Sequence, residues 1–376
     1  MLEGTKEFVN RFRFKGDMPV NGLGYEMEEL FHDRTKQFFS HSGIGVSESL
    51  TPVISNVLND VLIRLKVPVN AVDAFVFASS DIQAECVSGF NSKCFVRMSS
   101  SMVDLLSKEE LCFVIGHEIG HFLFGHGQGG GQFENKQSIE GLMQSRAQEI
   151  SADRAGLIAT SSLEIGLRAM MKTISGLGDK HLRFDFGNFL AQLRIGDGVG
   201  QVGGQSTHPS LLMRSRALLW FSMSRVFNET TGKIGGESME VLDDRVDRDL
   251  SKFVDGQMRE ELKQANEDLI LWLSAVAAVR DGIFEKSEQE LLIQLTSKET
   301  LSKLLGFLRG RAQDEVQSLT KGKLHAACAS FQSLAPIEFT QKMPFGVEVV
   351  GKAFGQDDFM DYIRSIMVSS ESNESP

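Results

Sequence analysis

The chain has 376 residues, 41% of them hydrophobic and 24% charged, a globular balance with more length than one core usually accommodates, so two domains are expected. Its 39 basic and 50 acidic residues give a net charge of −11 without a basic stripe, which argues against a nucleic-acid partner. The opening MLEGTKEFVNRFRFKGD lacks the apolar run of a signal peptide, and the longest apolar stretch, LILWLSAVAAV (269–279), is shorter than the roughly 20 residues that span a bilayer. Cys86, Cys94, Cys112 and Cys328 show no paired spacing, so a reduced, cytoplasmic protein without an integral membrane segment is expected.

From Thr51 to Lys66 the residues Val53, Ile54, Val57, Leu58, Val61, Leu62 and Leu65 recur at helical spacing behind a Thr-Pro start, which predicts an amphipathic helix. AVDAFVFAS (71–79) and IQAECVSGFNSKCFVRM (82–98) are rich in β-branched and aromatic residues, and predict a small strand group with a meander or hairpin. Were Cys86 and Cys94 to face one another across it, a disulfide could form. The capping box Ser107-Lys-Glu-Glu110 opens the next helix, which stops at the glycine-rich GHGQGGGQ (125–132), predicted to be a mobile loop. A second long helix is expected over about 138–160, with a helical pattern continuing to Leu193. GDGVGQVGGQ (196–205) reads as a flexible insert and lacks the Gly-Lys-Ser/Thr ending of a phosphate loop. Composition shifts near 228–250, where 11 acidic and 5 basic residues run from Glu237 to Asp268. The predicted division is therefore 1–235, with its core at about 50–220, a helical domain at 250–368, and a polar tail at 369–376 too poor in apolar residues to fold.

The motif that carries chemistry is HEIGH, residues 117–121. On an α-helix His117 and His121 project from one face about 6 Å apart along the axis, a separation at which two neutral imidazoles share one zinc ion. Glu118 stands beside them, placed to take a proton from a metal-activated water rather than to ligate. Gly116 and Gly120 inside the helix cost about 1 kcal/mol each relative to alanine, which implies that something approaches the backbone closely. A catalytic zinc needs a third protein ligand and one open position. His126 lacks the spacing of a metzincin ligand, since the places three and six after His121 hold Phe124 and Gly127; it reads as a helix-end residue facing solvent or the loop. Glu149, 28 residues past His121 on the following helix, is the better candidate, and Asp153 one turn on can accept the free ring N–H of a ligating histidine. Core histidines satisfied by ordinary hydrogen bonds, and two acids on a solvated helix face, are the competing readings of these residues.

HExxH followed by Ser145, Arg146, Glu149, Ala152 and Asp153 in the pattern SRxxExxAD resembles the zinc metallopeptidase family that includes the HtpX-like, CAAX prenyl and mitochondrial Oma-type peptidases. KCFVRMSSSMVDLLSKEEL (93–111) is similar to that family's edge strand and lead-in, and His208, Pro209 and Arg214 match its downstream HPxxxxR signature. The resemblance spans roughly 50–220. It implies a zincin-like domain bearing a small edge-strand sheet; with the all-α C-terminal domain that the helical period predicts, the expected class is α+β, mostly helical. The resemblance also implies one zinc ion on His117, His121 and Glu149 in the gluzincin manner, Glu118 as general base, Asp153 and Arg214 supporting the ligands, and His208 near the oxyanion. The substrate would be a polypeptide laid along Cys94, Phe95, Val96, Arg97 and Met98. The chain departs from the pattern in having no spanning helix, and in placing Gln83, Ala84 and Glu85 where an Asn-Ala-Phe element commonly precedes the edge strand. Residues 269–295, with Asp281, Gly282 and Glu288, resemble the helix-turn-helix of TerB-like domains, which implies a protein partner for the helical part. The alternative function is a zinc-binding but inert scaffold that works through that helical domain.

Overall fold

In the computed structural model the described residues are 2–18, 28–88, 93–126, 138–185, 187–189, 191, 210–253, 256–281 and 285–371. They form a mostly helical α+β protein with one four-stranded mixed sheet, the class expected. Two compact units divide it: Met1–Lys136 with Gly141–Asp255, and Gln137–Glu140 with Gly256–Pro376. The division at 255/256 falls inside the acidic run from Glu237 to Asp268. No helix among the described residues is long and apolar enough to cross a membrane.

In the first unit, α1 (Glu3–Asn10) and α2 (Glu28–Ser42) precede a two-residue strand β1 (Ile44–Gly45) and then α3 (Pro52–Arg64). Pro52 sits at the first helical turn, where its missing N–H costs nothing. Ile54, Val57, Leu58, Val61 and Leu62 bury the predicted face, whereas Val53 stays on the solvent side. Thr51 does not cap the helix; its hydroxyl accepts the Ser47 N–H at 3.0 Å.

Strands β2 (Val72–Phe77), β3 (Ala84–Ser88) and β4 (Cys94–Ser99) complete the sheet in the order β1-β2-β4-β3. β2 runs parallel to β4, and β3 and β4 form the antiparallel hairpin. The substrate edge expected at Cys94–Met98 is therefore misplaced, because that segment is hydrogen-bonded on both sides. Its near-continuous apolar run suits a strand covered on both faces, and Cys94, Phe95, Val96 and Met98 are buried. The half-exposed β3 lies at the sheet edge instead. Cys86 opposes Val96 rather than Cys94, and both thiols are free.

α4 (Ser100–Leu105) leads into α5 (Lys108–Phe124), which starts at the predicted capping box: Ser107 Oγ accepts the Glu110 N–H at 3.3 Å, and the Glu110 carboxylate accepts the Ser107 N–H at 2.8 Å. Gly125, at φ +76°, closes the helix in the left-handed conformation that glycine adopts without strain. α6 (Ile139–Thr160) and α7 (Leu163–Ser175) follow. The helical pattern expected to reach Leu193 breaks at Gly176, φ +69°, and the chain is irregular over 176–185. α8 (Leu211–Ser222), α9 (Arg225–Thr230) and α10 (Met239–Phe253) end the unit. Arg154 of α6 is fully buried and donates to Asp243 of α10 at 2.6 Å and to the Phe12 carbonyl at 3.2 Å, so α6 anchors both the N-terminal segment and the last helix. The predicted loop over 127–131 and the insert at 196–205 lie outside the described residues.

The second unit is all-α, with α11 (Gly256–Asp281), α12 (Lys286–Leu295), α13 (Lys298–Leu308), α14 (Gln313–Leu334), α15 (Pro336–Ala353) and α16 (Phe359–Glu371). Its core gathers Leu269, Leu273, Val276, Leu324, Phe331 and Val350 among others. Glu288 closes a capping box with the N–H of Glu285 at 2.6 Å, which accounts for an acidic residue at that position without a metal. Gly282 lies outside the described residues, as do 372–376 of the predicted tail; 369–371 are the last residues of α16.

Candidate metal centre

The close approach that Gly116 and Gly120 imply is made by α6. A Cβ on Gly120 would stand 2.8 Å from the Ala155 methyl and 3.1 Å from Ala152 Cα; one on Gly116 would stand 2.5 Å from the Ala159 methyl and 3.1 Å from Gly156 Cα. Small residues on both helices thus let the backbones touch, and the contact carries Glu149 to the histidine face of α5.

His117 Nε2 and His121 Nε2 are 3.1 Å apart, and the Glu149 carboxylate oxygens lie 3.6 Å from the first and 3.5 Å from the second. Ligand atoms at about 2.0–2.1 Å from a tetrahedral zinc are separated by roughly 3.3–3.4 Å, so the three observed gaps bracket the spacing one ion requires. His117 donates its Nδ1–H to Asp153 at 2.9 Å, which leaves Nε2 with an unshared pair directed at the other two groups. Two imidazole nitrogens and a carboxylate converging in this way repel one another unless a cation sits among them. The residues fit a divalent metal. Among the described residues this is the His/Cys/Asp/Glu group with ligand atoms close enough to share an ion.

Asp153 is held in turn by Arg214 of α8, whose Nε and Nη2 reach its two oxygens at 2.8 and 2.5 Å, while Nη1 lies 3.5 Å from Glu149. Burial pushes the Asp153 carboxyl up, but the Arg214 guanidinium and the His117 bond outweigh it and hold the group below the ordinary carboxylate range. For His117, burial favours the neutral ring, and the Asp153 bond with the Glu149 charge overcomes this and raises its pKa. The carboxyl of Glu118 is raised by burial, with Glu149 adding to the rise. Burial, reinforced by the neighbouring rings of His117 and His126, holds His121 well below the usual histidine value.

Glu118, His117, Glu149 and Arg214 line one cleft of about 310 Å³. Its remaining wall is largely apolar: Ile82 just before β3 and Ala84 at its start, Met102, Phe113 and Val114, and Met170 and Ile174 of α7. The structure therefore gathers His117, Glu118, His121, Glu149, Asp153 and Arg214, and leaves Cys94–Met98 in the sheet interior. His208 lies outside the described residues.

Two features escaped the sequence reading. His126 does not face solvent; it is buried, with Nδ1 2.8 Å from His121 Nδ1 and Nε2 3.0 Å from Asp17. Its backbone is set by the Gly125 helix stop, which was legible, and its N–H donates to the His121 carbonyl at 2.8 Å. Asp17 carried no signal, lying 109 positions from the ring it meets. The α7 wall of the cleft was likewise unmarked.

A pair of histidines one helical turn apart, met by a carboxylate from the next helix, defines a candidate metal centre of the two-histidine, one-carboxylate class. Residues 48–130 match the model of peptidase family M48, the family that the chain's motifs resemble. It is also similar to the plastoglobule-localized metallopeptidase 48, chloroplastic, of Arabidopsis thaliana, 24% identical over 234 residues that cover 54% of this chain and 68% of the relative. No solved structure matches the chain.

Proposed function

We propose that the chain is a zinc-dependent endopeptidase, with one zinc ion held by His117, His121 and Glu149 and with Glu118 as general base. The observation that carries this reading is the convergence of the three ligand groups, 3.1–3.6 Å apart, on a cleft that also holds Glu118. Zinc bound there supplies Lewis-acid polarisation of a peptide carbonyl and of water. Glu118, whose carboxyl burial makes more basic, takes the proton of the attacking water and delivers it to the leaving amine. Asp153 holds the His117 ring in one tautomer, and Arg214 holds Asp153. Zinc measured in the purified protein is expected at one equivalent per chain, with cleavage of an unfolded polypeptide lost on chelation and regained on zinc addition. A metal-free protein, or cleavage indifferent to a chelator, refutes the assignment.

The substrate class follows from the cleft wall. Among the described residues β3 pairs with β4 alone, so the outer N–H and C=O groups of Ala84–Ser88 can add an extended polypeptide as a further strand. Beside it, Met102, Phe113, Val114, Met170 and Ile174 suit a bulky apolar side chain next to the scissile bond. Ile174 is exposed at the rim, so Ile174→Glu should leave stability unchanged. Cleavage of peptides with a large apolar residue at that place should fall about tenfold relative to alanine there, the loss of roughly 1.4 kcal/mol of apolar contact. Peptide-library profiling of the variant checks this, and an unchanged profile counts against the pocket.

A further inference from the structure

The two ligand histidines are backed differently, and the difference reaches the N-terminal segment. His117 bonds a carboxylate directly, whereas His121 Nδ1 meets a second ring, His126 Nδ1, at 2.8 Å, and His126 Nε2 meets Asp17 Oδ2 at 3.0 Å. Asp17 is buried, 2% exposed, and its oxygens also accept from Arg13 Nε at 3.2 Å and from Gln144 Nε2 of α6 at 3.3 Å. Arg13 donates besides to the carbonyl of Phe124, in the last turn of α5.

With His126 neutral, these contacts fix the order of the protons. A carboxylate held by an arginine and an amide N–H has only acceptors to offer, so His126 Nε2 must be the donor. A neutral His126 protonated at Nε2 has a lone pair at Nδ1, and the facing His121 Nδ1 must then carry a hydrogen. His121 Nε2 is left with its unshared pair, 3.1 Å from His117 Nε2 and 3.5 Å from Glu149. In the opposite tautomer His121 Nε2 would hold a proton that has to leave before a metal could bind.

We propose that His126 and Asp17 are positioning residues of the metal centre, a relay that fixes His121 as the Nδ1-protonated tautomer and keeps its Nε2 open to zinc. The N-terminal segment, through Arg13 and Asp17, is thereby part of the metal site. This rests on the zinc assignment to His117, His121 and Glu149.

Long-range proton–nitrogen correlation spectra of the ¹⁵N-histidine-labelled, zinc-loaded full chain read the tautomers directly. The expected pattern is His121 protonated at Nδ1 and His126 protonated at Nε2 only; a proton on Nδ1 of His126 overturns the relay. His126→Leu removes the acceptor, and zinc affinity measured by competition with a chromophoric chelator should fall about 10- to 100-fold. His126→Asn sets an amide oxygen near the lost Nδ1 and should recover most of that affinity. The visible spectrum of the cobalt-substituted protein should change in the leucine variant and return in the asparagine variant. Leucine and wild-type proteins that bind zinc equally overturn the proposal. If metal-free His126→Leu melts far below wild type, the spectra of the wild-type protein alone decide. A wild-type chain that takes up no zinc overturns the metal assignment and the relay together, whereas wrong tautomers in a zinc-loaded chain overturn the relay only.

Discussion

Glu118→Gln is expected to retain a full equivalent of zinc while losing proteolysis by roughly 10²–10⁴-fold, about 3–5 kcal/mol of transition-state stabilisation. Glutamine preserves the size and the hydrogen-bonding reach of the side chain but cannot accept the proton of the attacking water. The proposed ligand set of His117, His121 and Glu149 does not include residue 118, so metal content should be unaffected. Kinetics on a single peptide, with zinc measured on the same sample, give both quantities. A variant that cleaves at the wild-type rate removes Glu118 from the mechanism; one that loses zinc along with activity makes it a structural residue.

Gly120→Val should be nearly as damaging, by another route. Replacing glycine inside a helix ordinarily gains up to about 1 kcal/mol. Here the new Cβ alone would lie 2.8 Å from the Ala155 methyl and 3.1 Å from Ala152 Cα, with valine's branches still to be placed. Neither neighbour is a flexible side-chain end that can swing away, so α6 must retreat, at a cost of roughly 1–3 kcal/mol for overpacking. Because Glu149 travels on α6, zinc affinity should fall with stability, even though residue 120 touches no ligand atom. Urea unfolding and chelator competition on the variant measure the two effects. Undiminished stability with undiminished zinc binding contradicts the helix contact described above.

The parts of the protein that a local pattern encodes were legible from sequence. The capping box at Ser107, the glycine stop at 125, the buried face of α3 and the histidine–glutamate spacing on α5 each depend on residues a few positions apart. Glu149, Asp153 and Arg214 were found because their helical spacing and a recognisable motif order stand in for three-dimensional proximity. Sheet order has no such proxy. β3 and β4 adjoin in sequence, yet β2 pairs with β4, so the strand taken for an edge lies in the interior and the edge passes to Ala84–Ser88. The continuous burial of Cys94, Phe95, Val96 and Met98 was the available sign. His126 was misread because its spacing excludes it from the ligand set, and exclusion from the ligands was taken to mean exclusion from the centre. Its partner Asp17 is brought in by tertiary packing of the N-terminal segment, which no periodicity announces.

The glycine and alanine contact between α5 and α6 also separates two evolutionary freedoms. Since the helices keep register by touching each other, ligand placement does not depend on how many residues join Gly125 to Ile139. Lengthening that connection twofold costs only about 0.6 kcal/mol in closure entropy. Insertions there can therefore accumulate while the donor atoms stay put, and the chemistry need not be rebuilt each time the connection changes.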